Sequence, residues 1–283
     1  MTAQLGGLAP AKLNLFLHVV GRRADGYHLL ETVFRFIDFS DRLHFSLRED
    51  GNIRLQSPLP GVPEESDLCI RAAKLLQRKS GVDLGVEIAL EKRIPMGGGL
   101  GGGSSDAATT LLALNRLWSI GWRRDQLLEL APELGADVPV FIFGESAFAE
   151  GIGEQLAPIC LPAAWYLVLT PPVSVSTAQV FTSKELTRNT IPIKIPPFSV
   201  EHGHNDLEPV VCRAYPEVAN YLEWLRQLDN CRKAAMTGSG ACVFAEFATE
   251  SEARAVLARL PACMEGFVAQ GLDRHPMHDF VKQ

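Results

Sequence analysis

The sequence predicts a protein of mixed α and β structure in two domains, and three observations carry that expectation. Its 283 residues exceed the roughly 150 of a common single domain. The first half reads as strand patterns followed by apolar-striped helices. After Gly151 and Gly153 a second set of strands and helices begins, so the boundary is expected near residue 155, giving domains of 1–155 and 156–283.

Along the chain, Leu13, Leu15, Leu17 and Val19 alternate with Lys12, Asn14, Phe16 and His18. That period of two predicts a half-buried strand with Lys12 and Asn14 together on its second face. Further strands are expected over Thr32–Phe39, Leu43–Leu47, Ile53–Gln56 and Val86–Leu90, with Asp25-Gly26 and Asp50-Gly51 as turns. Ser66 or Asp67 is suited to cap a helix through Lys79 that buries Leu68, Ala72, Leu75 and Leu76. A second helix is expected from Ser104 or Ser105, with Ala107, Leu111, Leu114 and Trp118 inward. A third spans Asp125–Leu134, with Gly135 as a left-handed C-cap. In the second half, strands are expected at Tyr166–Thr170, Cys242–Phe247 and Gly266–Leu272, and helices at Pro216–Leu228 and Glu250–Leu260. Thr249 and Glu252 form a capping box for the last helix, and Ile191–Pro197 is a proline-dense loop.

A 47% hydrophobic, 21% charged composition can fill a core, which excludes a disordered chain. The net charge of −6, with basic residues only in pairs such as Arg22-Arg23 and Arg123-Arg124, argues against nucleic acid as a partner. No apolar segment approaches the ~20 residues that span a bilayer, and Asn14 and His18 interrupt the stretch that most resembles a signal core. Neither membrane association nor export is expected. The cysteines, Cys69, Cys160, Cys212, Cys231, Cys242 and Cys263, lie scattered without a C-x-x-C pair. They read as buried reduced thiols of a cytoplasmic protein. The pairs His202/His204 and His275/His278 lack convergent cysteines and read as surface or loop residues, so no metal motif is found.

The most informative stretch is Pro95, Met96, Gly97, Gly98, Gly99, Leu100, Gly101, Gly102, Gly103, Ser104 and Ser105. Its glycines allow close approach to an anion, and the helix that follows aims free N–H groups at the same place. This is a phosphate cradle. It lacks the lysine of a P-loop and lies too late in the chain for a dinucleotide fold. The further signatures of a protein kinase are not found.

Two companions flank it, Pro10-Ala-Lys-Leu-Asn14 on the first strand and Thr237-Gly-Ser-Gly-Ala-Cys242 before a late one. In this order and at these separations, the three segments resemble the motifs of the GHMP kinase superfamily. Gly21-Arg-Arg-Ala-Asp-Gly-Tyr-His28, Pro95 to Ala108, Leu134-Gly-Ala-Asp-Val-Pro-Val-Phe141 and Asn205-Asp-Leu-Glu-Pro209 narrow the likeness to its cytidine-diphosphate branch. The resemblance covers nearly the whole chain, apart from Ile191–Gly203 and the last few residues.

The resemblance implies an α+β, two-domain GHMP kinase fold. Its N-terminal domain would be like domain 2 of ribosomal protein S5, its C-terminal domain ferredoxin-like, and the active site would lie between them. It implies ATP-dependent phosphorylation of the 2-hydroxyl of 4-diphosphocytidyl-2-C-methyl-D-erythritol, in non-mevalonate isoprenoid biosynthesis, by a monomer or weak homodimer. Asp137 is the implied general base, Lys12 its charge partner and Asn14 a substrate-orienting amide. Tyr27 and Phe181 match base-stacking positions, His28 a cytosine-edge contact, and Thr177 and Gly238 complete the acceptor side. Asp67, Lys92 and Pro95 are the adenine-side candidates. Asp67 departs from the family's asparagine, and a carboxylate cannot donate to a ring nitrogen. Ser104 and Ser105 can cap the helix, donate to phosphate or ligate the Mg²⁺ that accompanies ATP. Asp106 reads as a first-turn helix residue that would repel phosphate unless a cation intervenes. Another GHMP kinase (homoserine or mevalonate type) and a non-catalytic nucleotide-binding protein are the alternatives. Tyr27, His28 and Phe181 weigh against the first, and Lys12 with Asp137 against the second.

Overall fold

The computed structural model describes residues 3–193 and 203–282. His202, and the part of the proline-dense loop beyond residue 193, lie outside them. Strand β1 (Gln4–Arg22) pairs antiparallel with β2 (His28–Arg48) along nearly its whole length. β2 is continuous where the sequence suggested two strands. Ser40, Asp41 and Arg42 stay in the ladder opposite Pro10, Ala9 and Leu8, and a register shift follows between Pro10 and Ala11. Proline cannot donate to a ladder, so an irregularity is where it fits.

The expectation that β1 is half-buried is corrected. Helix α2 (Gly102–Leu117) packs on one side of it. On the other, Leu13, Leu15 and Phe16 join Tyr166, Val168 and Phe244 in a core shared by both halves of the chain. Lys12 and Asn14 are therefore only 2% and 3% exposed.

β3 (Ile53–Leu55) runs parallel to β4 (Gly85–Glu91), which pairs with β2. Helix α1 (Leu68–Ser80) is capped by Asp67, whose carboxylate accepts the N–H groups of Cys69 and Ile70. The expected helix Asp125–Leu134 is broken: α3 (Arg124–Leu128) ends and a 3-10 turn follows at Ala131–Glu133. Pro132 clashes with the carbonyl four residues back, at Leu128, which stops the helix there. Gly135 is absent from the positive-φ glycines, so it is no left-handed cap. Helix α4 (Val138–Phe143) was not expected, because Val-Pro-Val-Phe-Ile-Phe reads as a strand run. Pro139 in its first turn and Gly144 at φ 79° as its C-cap define it instead.

A short hairpin, β5 (Ala147–Glu150) and β6 (Gln155–Pro158), pairs with β2 through β5. Then come β7 (Trp165–Leu169), α5 (Thr177–Thr182), α6 (Glu208–Ala214), α7 (Pro216–Arg226), β8 (Lys233–Met236), β9 (Val243–Phe247), α8 (Glu250–Leu257) and β10 (Gly266–Leu272). β10 pairs with β7 through residues 266–270, and its last two residues reach Ile37 and Phe36 of β2. One sheet path, β3-β4-β2-β10-β7-β9-β8, thus crosses both halves.

Two other expectations change. His275 and His278 are buried, and burial with the nearby Arg124 charge pushes the His275 imidazole down to about 3. Among the cysteines, Cys160 and Cys263 are exposed, while Cys69 and Cys242 are buried. No described helix is long and apolar enough to cross a membrane.

Asn205 explains the Asn-Asp-Leu-Glu-Pro segment. Residues 204–206 bond to both polar groups of Leu17, adding a short parallel bridge on the edge of β1 that faces away from β2. The Asn205 amide donates to the carbonyls of Met236 and Gly238 at 2.9 and 2.8 Å and accepts the N–H of Leu207. Asn205→Asp turns a carboxylate oxygen toward two buried carbonyls. We expect at least about 2 kcal/mol of destabilisation, read as a lower denaturant midpoint at unchanged m-value.

Candidate active site

The site is built on a junction of three chain segments. The Thr237 hydroxyl, fully buried, accepts the Asn14 N–H at 2.9 Å and donates to the Gly99 carbonyl at 3.3 Å. The Lys12 N–H bonds Leu100 O at 3.0 Å, and the Cys242 N–H bonds Gly98 O at 3.1 Å. The glycine loop is thus fastened to β1 and to the turn before β9. Close approach explains two of its glycines. A Cβ on Gly99, at φ +76°, would lie 2.2 Å from Thr237 O; one on Gly101, at φ +71°, would lie 3.0 Å from Lys12 Cε.

Gly101 is also the N-cap of α2, so neither Ser104 nor Ser105 caps the helix. The first backbone bond of the helix is Ser105 N–H to Gly101 O, which leaves the N–H groups of Gly102, Gly103 and Ser104 ahead of it. The loop walls a cavity of about 410 Å³, with Pro95, Met96, Asp67, Lys92, Ser104, Asp106, Asp137 and Thr177 on its surface. Leu59, Val62 and Val175 add apolar wall that the sequence did not point to. Ser105 is buried off the cavity, and its hydroxyl has no partner among the described residues. Gly238 is buried in the junction, while its neighbour Ser239 reaches the wall and bonds the Thr177 hydroxyl at 2.6 Å.

At one side of this cavity the Lys12 ammonium lies 3.2 Å from an Asp137 oxygen and donates to Asn14 Oδ1 at 2.6 Å. Asn14 Nδ2 donates to Thr32 Oγ1, so the amide is engaged within the protein and aims Lys12. Asp137 opens α4 without bonding the helix, and its side chain is 36% exposed beside the buried lysine. An available carboxylate next to a buried cation can take a proton from a hydroxyl.

Lys92 bridges two carboxylates, Asp41 and Asp106. Asp41 also accepts the N–H groups of Arg93 and Ile94. Asp106 lies in the second turn of α2, correcting the first-turn expectation, and one of its oxygens has no partner among the described residues. Burial, only partly offset by Lys92, pushes its carboxyl up to about 7. One lysine cannot neutralise two buried carboxylates, and the less well bonded Asp106 is the one whose carboxyl is pushed up.

A second cavity, of about 550 Å³, is lined by Tyr27, His28, Phe181 and Ile152 among others. The His28 and Phe181 rings sit 5.1 Å apart, and Tyr27 is 61% exposed. Ala136 and Ala178 line this cavity while their neighbours Asp137 and Thr177 line the first. The two cavities are lined by adjacent residues at those dipeptides.

Comparison with known proteins accounts for this arrangement. A model of the GHMP kinases N terminal domain matches residues 67–145, and one of the GHMP kinases C terminal domain matches 199–266. The chain is 78% identical over 281 residues to the 4-diphosphocytidyl-2-C-methyl-D-erythritol kinase of Nitrosospira multiformis, covering 99% of this chain and 96% of the relative. It belongs to that family of GHMP kinases. The family's protein from Nitrosomonas europaea is 66% identical, over 96% of this chain and 98% of its own. A crystal structure of a 4-(cytidine 5'-diphospho)-2C-methyl-D-erythritol kinase superposes with a TM-score of 0.82 at 36% identity, covering 94% of this chain and 99% of its own. A mevalonate kinase structure, at 16% identity and a TM-score of 0.69, shares the fold alone.

The raised Asp106 carboxyl generates a pH effect. Between 3.8, the ordinary aspartate value, and about 7 the unfolded chain is ionised here while the folded protein still holds its proton. The folded state then binds more protons, so this residue makes stability fall as pH rises through that window. Asp106→Asn keeps an oxygen for Lys92 and removes the titration. The denaturant midpoint, followed from pH 4 to 8, should decline less steeply in the variant; parallel profiles would contradict the assignment.

Proposed function

We propose that this chain transfers the γ-phosphoryl group of ATP to the 2-hydroxyl of 4-diphosphocytidyl-2-C-methyl-D-erythritol, releasing ADP, as a step of isoprenoid precursor synthesis. The observation that carries the reading is a pair of cavities lined by neighbouring residues, Ala136 and Asp137 among them, with the Lys12–Asp137 pair at that place. One cavity offers a glycine loop and a helix N-terminus to phosphates, the other two aromatic rings and a histidine to a base. The names of the close relatives support the same assignment. We keep the division of the chain near residue 155, with the two matched domain segments on opposite sides of it.

In this reading ATP lies along the glycine loop, its adenine against Leu59, Val62 and Val175, its phosphates before Gly102, Gly103 and Ser104. The acceptor hydroxyl attacks the γ-phosphorus in line. The new O–P bond forms, the bond to the bridging oxygen of ADP breaks, and Asp137 receives the hydroxyl proton. Lys12, aimed by Asn14, stabilises charge on the transferring oxygens. Mg²⁺ would be held mainly by phosphate oxygens, its habit in kinase sites. The Ser104 hydroxyl and, once the cation displaces its proton, the carboxylate of Asp106 on the same wall would fit that limited share of ligands. Its charge would neutralise the β- and γ-phosphates. Asp67, already spent on capping α1, contributes wall rather than a base-reading donor.

Asp137→Asn keeps the shape and removes the base. A coupled ADP-release assay with the cytidine acceptor should show kcat lowered roughly 10²–10⁴-fold, with the Kd for ATP unchanged. Near-parent kcat would remove the base role and leave only positioning to explain the rate.

Phe181→Ala opens the acceptor cavity without touching the glycine loop. Loss of one base stack, worth about 1–3 kcal/mol, should raise acceptor KM about tenfold or more and leave the KM for ATP as it was. An unchanged acceptor KM would remove the base from this cavity.

A further inference from the structure

Arg188 follows α5 in a stretch without regular structure, and the sequence offered no reason to single it out. Its guanidinium binds four acceptors at once. Nη2 donates to the carbonyls of Phe181 and Ser183 at 3.1 and 2.6 Å, Nη1 to that of Leu186 at 3.1 Å, and Nε to Nε2 of His28 at 3.1 Å. The two ends of this clamp, Phe181 and His28, both line the second cavity. We infer that Arg188 is a positioning residue for the acceptor: it holds the His28 ring as a neutral imidazole protonated on Nδ1 and registers it against Phe181, and so sets the choice of base. The inference rests on the acceptor reading above and deepens it.

The chemistry leaves little freedom. A guanidinium has donors only and stays protonated, so the His28 nitrogen that meets it must accept. The ring proton then belongs to Nδ1, because the bond made by one imidazole nitrogen decides the state of the other. Nδ1 has no hydrogen-bond partner among the described residues. Burial first, then the charges of Arg188 and Arg22, lower the pKa of the ring, while Asp25 is the acidic residue lining the same cavity. A neutral ring with a single N–H donor complements a base edge made of acceptors. Cytosine offers O2 and an unprotonated N3. Uracil carries an N–H at position 3, so a ring locked as a donor discriminates between them, and a ring free to change tautomer does so less.

Ring-nitrogen NMR shifts of His28, combined with kinetics on the cytidine acceptor and its uridine analogue, test this in the parent protein and in Arg188→Met. The parent ring should be neutral and protonated on Nδ1 at pH 7.5. In Arg188→Met it should relax to a mixture of tautomers. KM for the cytidine acceptor should rise severalfold, up to about tenfold, the effect of losing one hydrogen bond between neutral groups. kcat and the KM for ATP should stay within about twofold, and the cytidine-over-uridine preference should fall severalfold. A parent ring protonated on Nε2 overturns the inference without any variant. So does an Arg188→Met enzyme that keeps its base preference, or one that loses kcat and ATP affinity in equal measure, which is the behaviour of a merely structural residue. A parent that phosphorylates neither acceptor overturns the acceptor reading and the selectivity role with it. The tautomer measurement still decides the Arg188–His28 contact separately.

Discussion

The Thr237 hydroxyl is the contact on which the site depends. By bonding the Asn14 N–H and the Gly99 carbonyl together, it holds three segments far apart in sequence within one hydrogen-bonded group. The position of Lys12 against Asp137, the path of the glycine loop and the start of α2 all follow from it. A buried hydroxyl with both its donor and its acceptor used is costly to disturb, since either backbone partner would be left unpaired in a place water cannot reach. Asn205 supports the same turn from behind through Met236 and Gly238. Two side chains with no chemical task therefore determine where the chemical groups stand.

Charge around the loop is arranged with similar economy. A carboxylate beside the phosphates of ATP would oppose binding, yet Asp106 sits on the cavity wall. Lys92 stands between it and Asp41, so the cluster presents less negative charge than its composition suggests. Lys92 is consequently more a buttress beneath the first turn of α2 than a free cation.

Much of this was legible in the sequence where chemistry is local. The glycine run, Lys12 on its strand and the capping of α1 by Asp67 each follow from neighbouring residues. Where the sequence misled, tertiary contacts decided. The alternation of β1 suggested one wet face, but α2 covers one side of the strand and packing from the second half covers the other. Ser104 and Ser105 are good caps by type, yet Gly101 takes the position because its left-handed φ lets the loop pass Lys12. Helix α4 hides in a run of β-formers and exists through Pro139 and Gly144. Arg188 was invisible because its acceptors are three carbonyls and one imidazole, brought together only by the fold. Leu59 and Val62 could have been suspected only from a proline-bounded apolar loop before α1.

The last two residues of β10 have a consequence for how molecules enter. Through Gly271 and Leu272, and through the core that β1 shares with β7 and β9, the two halves are continuous in both sheet and interior. Jaw-like closure about a hinge would have to tear ladder bonds and open that core. Traffic into the cleft must instead pass at its rims. The segment carrying Leu59 and Val62 borders the first cavity, and the turn through Asp25, Gly26 and Tyr27 borders the second.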